Sequence, residues 1–302
     1  MPRTKHYSRL IFIMLFLVTC SCSVIHRQDS DSVTRIARGN FTEVAWSPDE
    51  SSLIAISHPP APGVESNIYN ISYPSGDVEL IPGIRLFSHP SWSPDGSQVS
   101  ITVELDTIQV LDPWSGTLSY LTYGEAATWS ADGSRLYVYE GILTDPTTSE
   151  RRIHIVNREG TIEESIMLGP IENDLNEPEY ITGFSLSPDE TQALLGLSIL
   201  QSGLNRYETY LVNLDDGTLE YFRVDEGTGC ASWSPDGNRI AYIHFEQSDY
   251  VGELRIADLQ NNTLLSSSIE PEVQSISWSP GGDMIAFVLD GDVYVQNIDK
   301  IQ

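Results

Sequence analysis

Cysteine, lysine and long apolar runs are all scarce in this sequence, and each shortage excludes something. Its 302 residues contain only Cys20, Cys22 and Cys230. Two of the three sit together near the N-terminus, so the body of the chain has no disulfide framework to fold around. Lysine occurs only at Lys5 and Lys300, and 16 basic against 43 acidic residues give a formal net charge of −27. That balance excludes nucleic acid as a partner, because phosphate binding needs clustered Lys and Arg. The acids are spread along the chain, which describes a solvated acidic surface that favours cations and basic partners. No apolar run approaches the roughly 20 residues that span a bilayer. A G-x-S-x-G nucleophile elbow is also missing, and no catalytic residue is assigned.

The first residues read as a targeting segment. "MPRTKHYSR" carries Arg3, Lys5 and Arg9 and no acid, an apolar run covers Leu10 to Val18, and "TCSC" follows. A basic start, a short apolar centre and small residues make a signal-peptide pattern. Its end resembles a bacterial lipoprotein signal, in which a small residue precedes a cysteine that becomes lipidated. Ser21 before Cys22 fits, so Cys22 is the expected lipidated residue. Cys20, preceded by Thr19 with Leu17 further back, is the alternative, and ordinary secretion with cleavage nearby is the other reading. Residues 1–21 are then the signal, 22–31 a polar tether, and 32–302 the folded domain. Removing 1–21 deletes three basic residues and no acid, so −27 − 3 = −30 for the mature chain. The expected location is the extracytoplasmic side of a bacterial cell-envelope membrane, held there by the lipid anchor alone.

What the chain does have is a repeat. "WSPDES" starts at Trp46, "WSPDGS" at Trp92, "WSADGS" at Trp129, "LSPDET" at Leu186, "WSPDGN" at Trp233 and "WSPGGD" at Trp278. The steps are 46, 37, 57, 47 and 45 residues. Each copy lies between short apolar strands, with two further strands after it. Repeats of this length made only of strands indicate a propeller. Four strands per unit and six units predict an all-β, six-bladed β-propeller. The last unit stops one strand short at Gln302, and "SVTRIAR", Ser32 to Arg38, is a spare alternating segment. Placed as the outer strand of blade 6, it closes the ring and covers an open sheet edge.

The residue types explain the repeat. Proline presets φ for the second position of a type I turn, glycine supplies a left-handed residue, and Ser and Asp bond neighbouring backbone N–H groups. Tryptophan offers a wide surface for the gap between two blades. Asp49, Asp95, Asp132, Asp189 and Asp236 are therefore turn-formers and not calcium ligands. Five departures stand out: Glu50 and Glu190 for glycine, Ala131 for proline, Leu186 for tryptophan and Gly281 for aspartate. They predict less regular blades, blade 4 above all. Cys230, alone in an apolar strand, reads as a small packed hydrophobe.

These repeats resemble the PD-type, WD-like repeats of the C-terminal propeller of the Tol–Pal component TolB, and those of prolyl-oligopeptidase-type propellers. The resemblance runs from Val33 to Asp299. It implies the propeller fold and a habit of binding proteins, and it carries no catalytic residue across. The separate N-terminal domain of TolB and the peptidase hydrolase domain are both expected to be absent.

In propellers one face carries the loops between second and third strands and those between blades. Here that face holds "SHPPAPGVESN" from Ser57, "EGILTDPTTSERR" from Glu140, "LGPIENDLNEPEYITG" from Leu168, "ILQSGLNRYE" from Ile199 and "HFEQSDYVGE" from His244. Long loops on a rigid scaffold are where binding concentrates. Glu172, Asp174, Glu177 and Glu179 form a local negative field suited to a basic partner. A second candidate lies at the channel mouth. Three residues before each Trp-equivalent stand Glu43, His89, Ala126, Gly183, Cys230 and Ser275. Glu43 and His89 thus occupy matching heights, with Glu125 one position earlier on the next blade and His58 in the first long loop. Such groups could hold a small ligand or a cation, or act as general acid and base. His154 and His244 read as packed or solvated. The reading is a monomeric, non-enzymatic module that binds an envelope protein or small ligand and needs no cofactor. The alternative is a propeller enzyme, a metal-dependent hydrolase or lyase with its site at the channel mouth.

Overall fold

The computed structural model describes residues 33–57, 66–82, 87–104, 106–145, 148–171, 179–201, 204–222, 228–245, 252–259, 263–267 and 273–298. All of its elements are strands. β1, Val33–Ala37, comes first. Blade 1 follows as β2 (Phe41–Trp46), β3 (Ser52–Ser57), β4 (Asn67–Ser72) and β5 (Val78–Ile81). Blade 2 is β6 (Phe87–Trp92), β7 (Val99–Val103), β8 (Thr107–Leu111) and β9 (Leu118–Tyr123). Blade 3 is β10 (Ala126–Trp129), β11 (Arg135–Asp145), β12 (Thr148–Asn157) and β13 (Ile162–Met167). Blade 4 is β14 (Glu179–Leu186), β15 (Gln192–Gln201), β16 (Leu204–Asn213) and β17 (Leu219–Tyr221). Blade 5 is β18 (Thr228–Trp233), β19 (Arg239–Phe245), β20 (Gly252–Asp258) and β21 (Thr263–Ser267). The last three strands are β22 (Val273–Trp278), β23 (Met284–Leu289) and β24 (Asp292–Asn297). Six four-stranded antiparallel sheets result, and the last has the order β22-β23-β24-β1. The chain is a six-bladed β-propeller closed by its N-terminal strand.

The recurrent turns are built as their residue types require. The serine hydroxyl donates to the aspartate two residues on, at 2.8 Å for Ser47 and Asp49 and 2.6 Å for Ser93 and Asp95. The same serine oxygen accepts the N–H that opens the next strand, as Ser93 does from Gln98 at 3.0 Å. The aspartate also accepts the N–H two residues further along, Ser51 for Asp49 and Ser134 for Asp132. These bonds favour the ionised carboxylate. The serine hydroxyl is the main cause that holds Asp49, Asp95, Asp189 and Asp236 below the usual carboxylate range. The Ser134 N–H leads at Asp132, which is pulled down to about 2.

The departures turn out to be compensated. Where Gly281 replaces aspartate, Asp283 moves in and accepts from the Ser279 hydroxyl at 3.2 Å. Glu50 and Glu190 adopt the left-handed conformation glycine would have, with φ of 58° and 56°. Their carboxylates then reach across a blade boundary. Glu190 accepts the Ala131 N–H at 2.8 Å and the Tyr137 hydroxyl at 2.9 Å. Ala131 can donate that bond only because it is not proline. Glu50 accepts the Gly281 N–H of blade 6 at 2.6 Å. At the regular boundaries glycine meets proline instead: Gly237 lies against Pro188, and Gly282 against Pro235. Blade 4, expected to be the least regular, is a complete sheet whose β15 and β16 pair from Gln192↔Asn213 to Gln201↔Leu204. The Glu190 contacts are the physical reason its turn survives without glycine.

Among the described residues each gap between neighbouring blades holds one apolar cluster. Trp46 fills the gap between blades 6 and 1 with Val288 and Val295, and Trp92 the next with Ile54 and Ile68. Trp129, Trp233 and Trp278 do the same at three others. The gap between blades 3 and 4 has no tryptophan, and Tyr137, Tyr139 and Tyr210 supply the aromatic surface around the partly buried Leu186. Burial pushes the Tyr137 phenol up to about 12, and its bond to the Glu190 carboxylate adds to the effect.

The exchange of a Gly–Pro contact for a Glu–Ala contact makes a coupled prediction. Glu190→Gly alone should cost about 1–2 kcal/mol, because the part-buried Tyr137 phenol loses its acceptor, while the exposed Ala131 N–H turns to water. Adding Ala131→Pro should recover at least half of that loss in urea unfolding, by restoring the regular glycine–proline contact. Strictly additive losses in the two variants would contradict the pairing.

Candidate binding site at the channel mouth

The inner strands β2, β6, β10, β14, β18 and β22 contact one another in order around the ring, and β22 returns to β2. In five of the six blades their pairing with the second strand slips at a common level. The slip falls between Phe41 and Glu43 in β2, Ser88 and Ser91 in β6, Ile181 and Gly183 in β14, Gly229 and Ala231 in β18, and Val273 and Ser275 in β22. A bulge bends its strand and re-aims the side chain at that point. Five of the six residues expected to line the axis therefore sit at or beside a bulge, Ala126 of the regularly paired β10 being the exception, and sequence alignment alone did not reveal this.

Glu43 and His89 meet there, but through the backbone of His89. The His89 N–H donates to Glu43 Oε2 at 2.5 Å, across the boundary between blades 1 and 2. His89 has φ of 55° although it is neither glycine nor asparagine and precedes Pro90. That conformation is costly for a residue before proline, and the bond to Glu43 helps to hold it. The His89 ring is oriented separately by Nδ1 and the Ser88 hydroxyl, 3.0 Å apart. On the other side of Glu43, the Val44 N–H donates to Ser275 Oγ of blade 6 at 3.2 Å. The carboxylate is thus held from blade 2, while the main chain beside it is tied to blade 6.

The rest of the ring is small. Gly183 lies against Cys230, since a Cβ there would stand 3.6 Å from the sulfur. Burial pushes the Cys230 thiol up to about 11; an Ile276 N–H bond pulls the other way, and the Glu43 charge raises it further. Glu125 is placed beside Gly141 of its own blade, where its Oε1 would be 3.3 Å from an added Cβ. Its backbone joins Tyr139 and Thr102. Among the described residues no group of three or more His, Cys, Asp or Glu side chains could hold a metal ion. His58, Glu172, Asp174, Glu177 and Cys22 lie outside the described residues, and Glu179 is placed by its backbone alone, paired with Ile199 at the start of β14.

Two of the segments read as irregular loops are ladders. β11 and β12 stay paired out to Asp145↔Thr148, and β15 and β16 out to Gln201↔Leu204. Pro146 in one segment and Gly203 in the other gave turn signals that hid the pairing from the sequence. His154 is packed as expected. Its Nδ1 lies 2.7 Å from Ser165 Oγ and its Nε2 2.9 Å from Glu140 Oε2, so one buried ring ties β11, β12 and β13 together. His244 is also buried, in β19 opposite Thr228.

A family model for the N-terminal region of dipeptidyl peptidase IV matches residues 247–302, well under half of the chain. No curated protein matches. Hydrazine synthase of Kuenenia stuttgartiensis is similar in structure, with a TM-score of 0.59, 14% identity, and coverage of 87% of this chain and 78% of that one. The β-propeller domain of Myceliophteria thermophila Cps50 (Swd1) is similar too, with a TM-score of 0.56, 13% identity, and coverage of 88% and 99%. These likenesses show the fold. At such identities they assign no activity and no site.

The site geometry makes Cys230 a packing residue. At pH 8 its thiolate fraction should be on the order of 10⁻³. In a chain carrying Cys20→Ser and Cys22→Ser, iodoacetamide should label native Cys230 at least about a hundredfold more slowly than the urea-unfolded chain. Equal rates at pH 8 would contradict its place in the packing.

Proposed function

We propose that this chain is a non-enzymatic binding module, anchored in a bacterial cell envelope through Cys22, that holds a basic protein segment or a small cationic ligand at the long-loop end of its channel. The observation that carries this reading is the Glu43 carboxylate. It is fixed by the strained His89 N–H and set in a ring whose other members, Ala126, Gly183, Cys230 and Ser275, are small. A preset anion with little around it suits recognition of a cation by direct hydrogen bonding. The net charge of −27 and the acids Glu172, Asp174, Glu177 and Glu179 give the chain the same preference for cations. The match to the dipeptidyl peptidase IV N-terminal region is compatible with either a binding or an enzymatic role. One arrangement favours the enzyme reading: hydroxyl, imidazole and carboxylate stand in hydrogen-bonding order at Ser165, His154 and Glu140. A structural tie between three strands explains that order as fully.

The test is capture of a partner from the native envelope by the full chain. Cys22→Ala should move the protein to the soluble fraction; retained lipid there, with loss in Cys20→Ala, would shift the anchor to Cys20. Capture should weaken between 0.1 M and 1 M salt, as the Debye length falls from about 10 Å to about 3 Å. Glu43→Gln, and joint neutralisation of Glu172, Asp174, Glu177 and Glu179, should each reduce it at an almost unchanged melting temperature. Capture that ignores salt and all five acids would contradict this function.

A further inference from the structure

Twice among the described residues an indole, a carboxylate and a guanidinium come together. Arg158 lies over Trp129 at 5.1 Å and donates to Asp95 at 2.9 Å. Arg239 lies over Trp278 at 5.1 Å, with Asp236 3.8 Å from its guanidinium. The outer rim of blade 2 presents the first two members of this set without the third. Trp114, in the turn between β8 and β9, is 74% exposed, the most exposed large hydrophobic residue described. Beside it, Asp112 accepts the N–H groups of Trp114 and Ser115 at 2.9 and 3.1 Å and the Ser115 hydroxyl at 2.7 Å. Those bonds, the Ser115 hydroxyl first, hold the Asp112 carboxyl below the usual range, so it is a fixed anion at any physiological pH.

Among the described residues nothing accounts for this tryptophan. The equivalent turns close with the same bond, Gly76 to Ser72, Gly116 to Asp112 and Gly217 to Asn213. That alignment puts Pro74 and Asp215 where blade 2 has Trp114. The adjoining strand continues the surface. Tyr120 and Tyr123 are 56% and 63% exposed and touch edge to face, with ring centroids 5.8 Å apart. They oppose Gln109 and Thr107, so both stand on one side of the sheet. Among the described residues β9 pairs with β8 alone, which leaves its outer backbone edge open to another strand. Residues 87–123 contain Asp95, Glu104, Asp106 and Asp112 and no Lys or Arg. Among the described residues of that stretch the third member of the set is missing.

We propose that the outer rim of blade 2 binds an extended, arginine-bearing segment of a partner protein, with a guanidinium seated on Trp114 beside Asp112 and the segment running along Tyr120 and Tyr123. Stacking of a guanidinium on an exposed indole and strand addition at an open edge are the interactions used. Charge selects the occupant, because a second copy of a chain at −27 is repelled. This surface is separate from the Glu43 site and does not depend on the function proposed above.

The probe is a synthetic peptide of about ten residues, the length of an extended strand, in which arginine alternates with threonine. Lysine–threonine and glutamate–threonine versions serve as controls, titrated into the full chain by calorimetry. In a chain carrying Glu43→Gln, which removes the channel-mouth contact, the arginine peptide should bind with one-to-one stoichiometry, more tightly than the lysine peptide, and the glutamate peptide should not bind. Trp114→Ala should weaken binding about three- to fivefold, and with Asp112→Asn about tenfold or more. Trp114 is exposed, and an asparagine oxygen at position 112 can still accept the turn's N–H bonds, so melting temperatures should move little. Equal affinity of the arginine and lysine peptides, with no effect of Trp114→Ala, would reduce the attraction to bulk charge and overturn the proposal. A dimer in sedimentation that Trp114→Ala abolishes would also overturn it, by making a second copy the occupant.

Discussion

Four antiparallel residue pairs, from Val33↔Gln296 to Ala37↔Val293, join the first strand of the propeller to its last, and the rest of the ring depends on them. Without β1, the outer edge of β24 would be open and blade 6 would have three strands. The join is reinforced at its end. The Arg35 guanidinium lies 3.3 Å from Asp292, the Gly39 N–H donates to the same carboxylate at 3.1 Å, and the Phe41 N–H to the Gly291 carbonyl at 2.9 Å. Ala37, Phe41, Val293 and Val295 then enter the cluster that Trp46 completes between blades 6 and 1. Closure and packing are one event there. It also sets the candidate site, since Glu43 follows Phe41 on β2 and its neighbour Val44 is bonded to Ser275 of blade 6.

The other boundaries repeat a simpler contact. The serine just before a Trp-equivalent serves the next blade. Ser277 Oγ accepts the Trp46 N–H at 3.1 Å, and Ser185 Oγ the Trp233 N–H at 3.1 Å. The carbonyls of Ser91 and Ser232 accept the indole N–H of Trp129 and Trp278 at 3.1 Å. A tryptophan packed only by its area would leave its polar edge buried at a cost. At Trp46, Trp92 and Trp233 the indole nitrogen is buried without a partner among the described residues, and hydrophobic burial offsets that cost. The first serine of "SWSPDG" therefore belongs to the inter-blade contact and the second to the turn.

The blade count, the turn chemistry and the closing strand were legible because period, proline, glycine and alternation are local signals. Compensation was not legible. Glu190 looks like a fault in blade 4 until its carboxylate is seen on Ala131 and Tyr137 of blade 3, a contact 59 residues away in sequence from Ala131. Asp283 supplies, from two positions further on, the acceptor that Gly281 cannot, and a fixed alignment hides that shift. At the site, matching heights correctly brought Glu43 and His89 together. What joins them is a main-chain N–H in a left-handed conformation, and no residue type announces that. Glu125, one position before that height, has its carboxylate beside Gly141 in its own blade.

The central claim is that the two chain ends form one blade and that this blade holds the ring and the Glu43 site together. Native-state hydrogen exchange measures that most directly, because it reads the opening free energy of each strand separately. The amides of β1 and β24 should exchange with the same free energy as the inner strands of blades 1 and 5, equal to that of global unfolding in denaturant. Amides of β1 exchanging at the rate of an open loop, while blades 1 to 5 stay protected, would contradict the account.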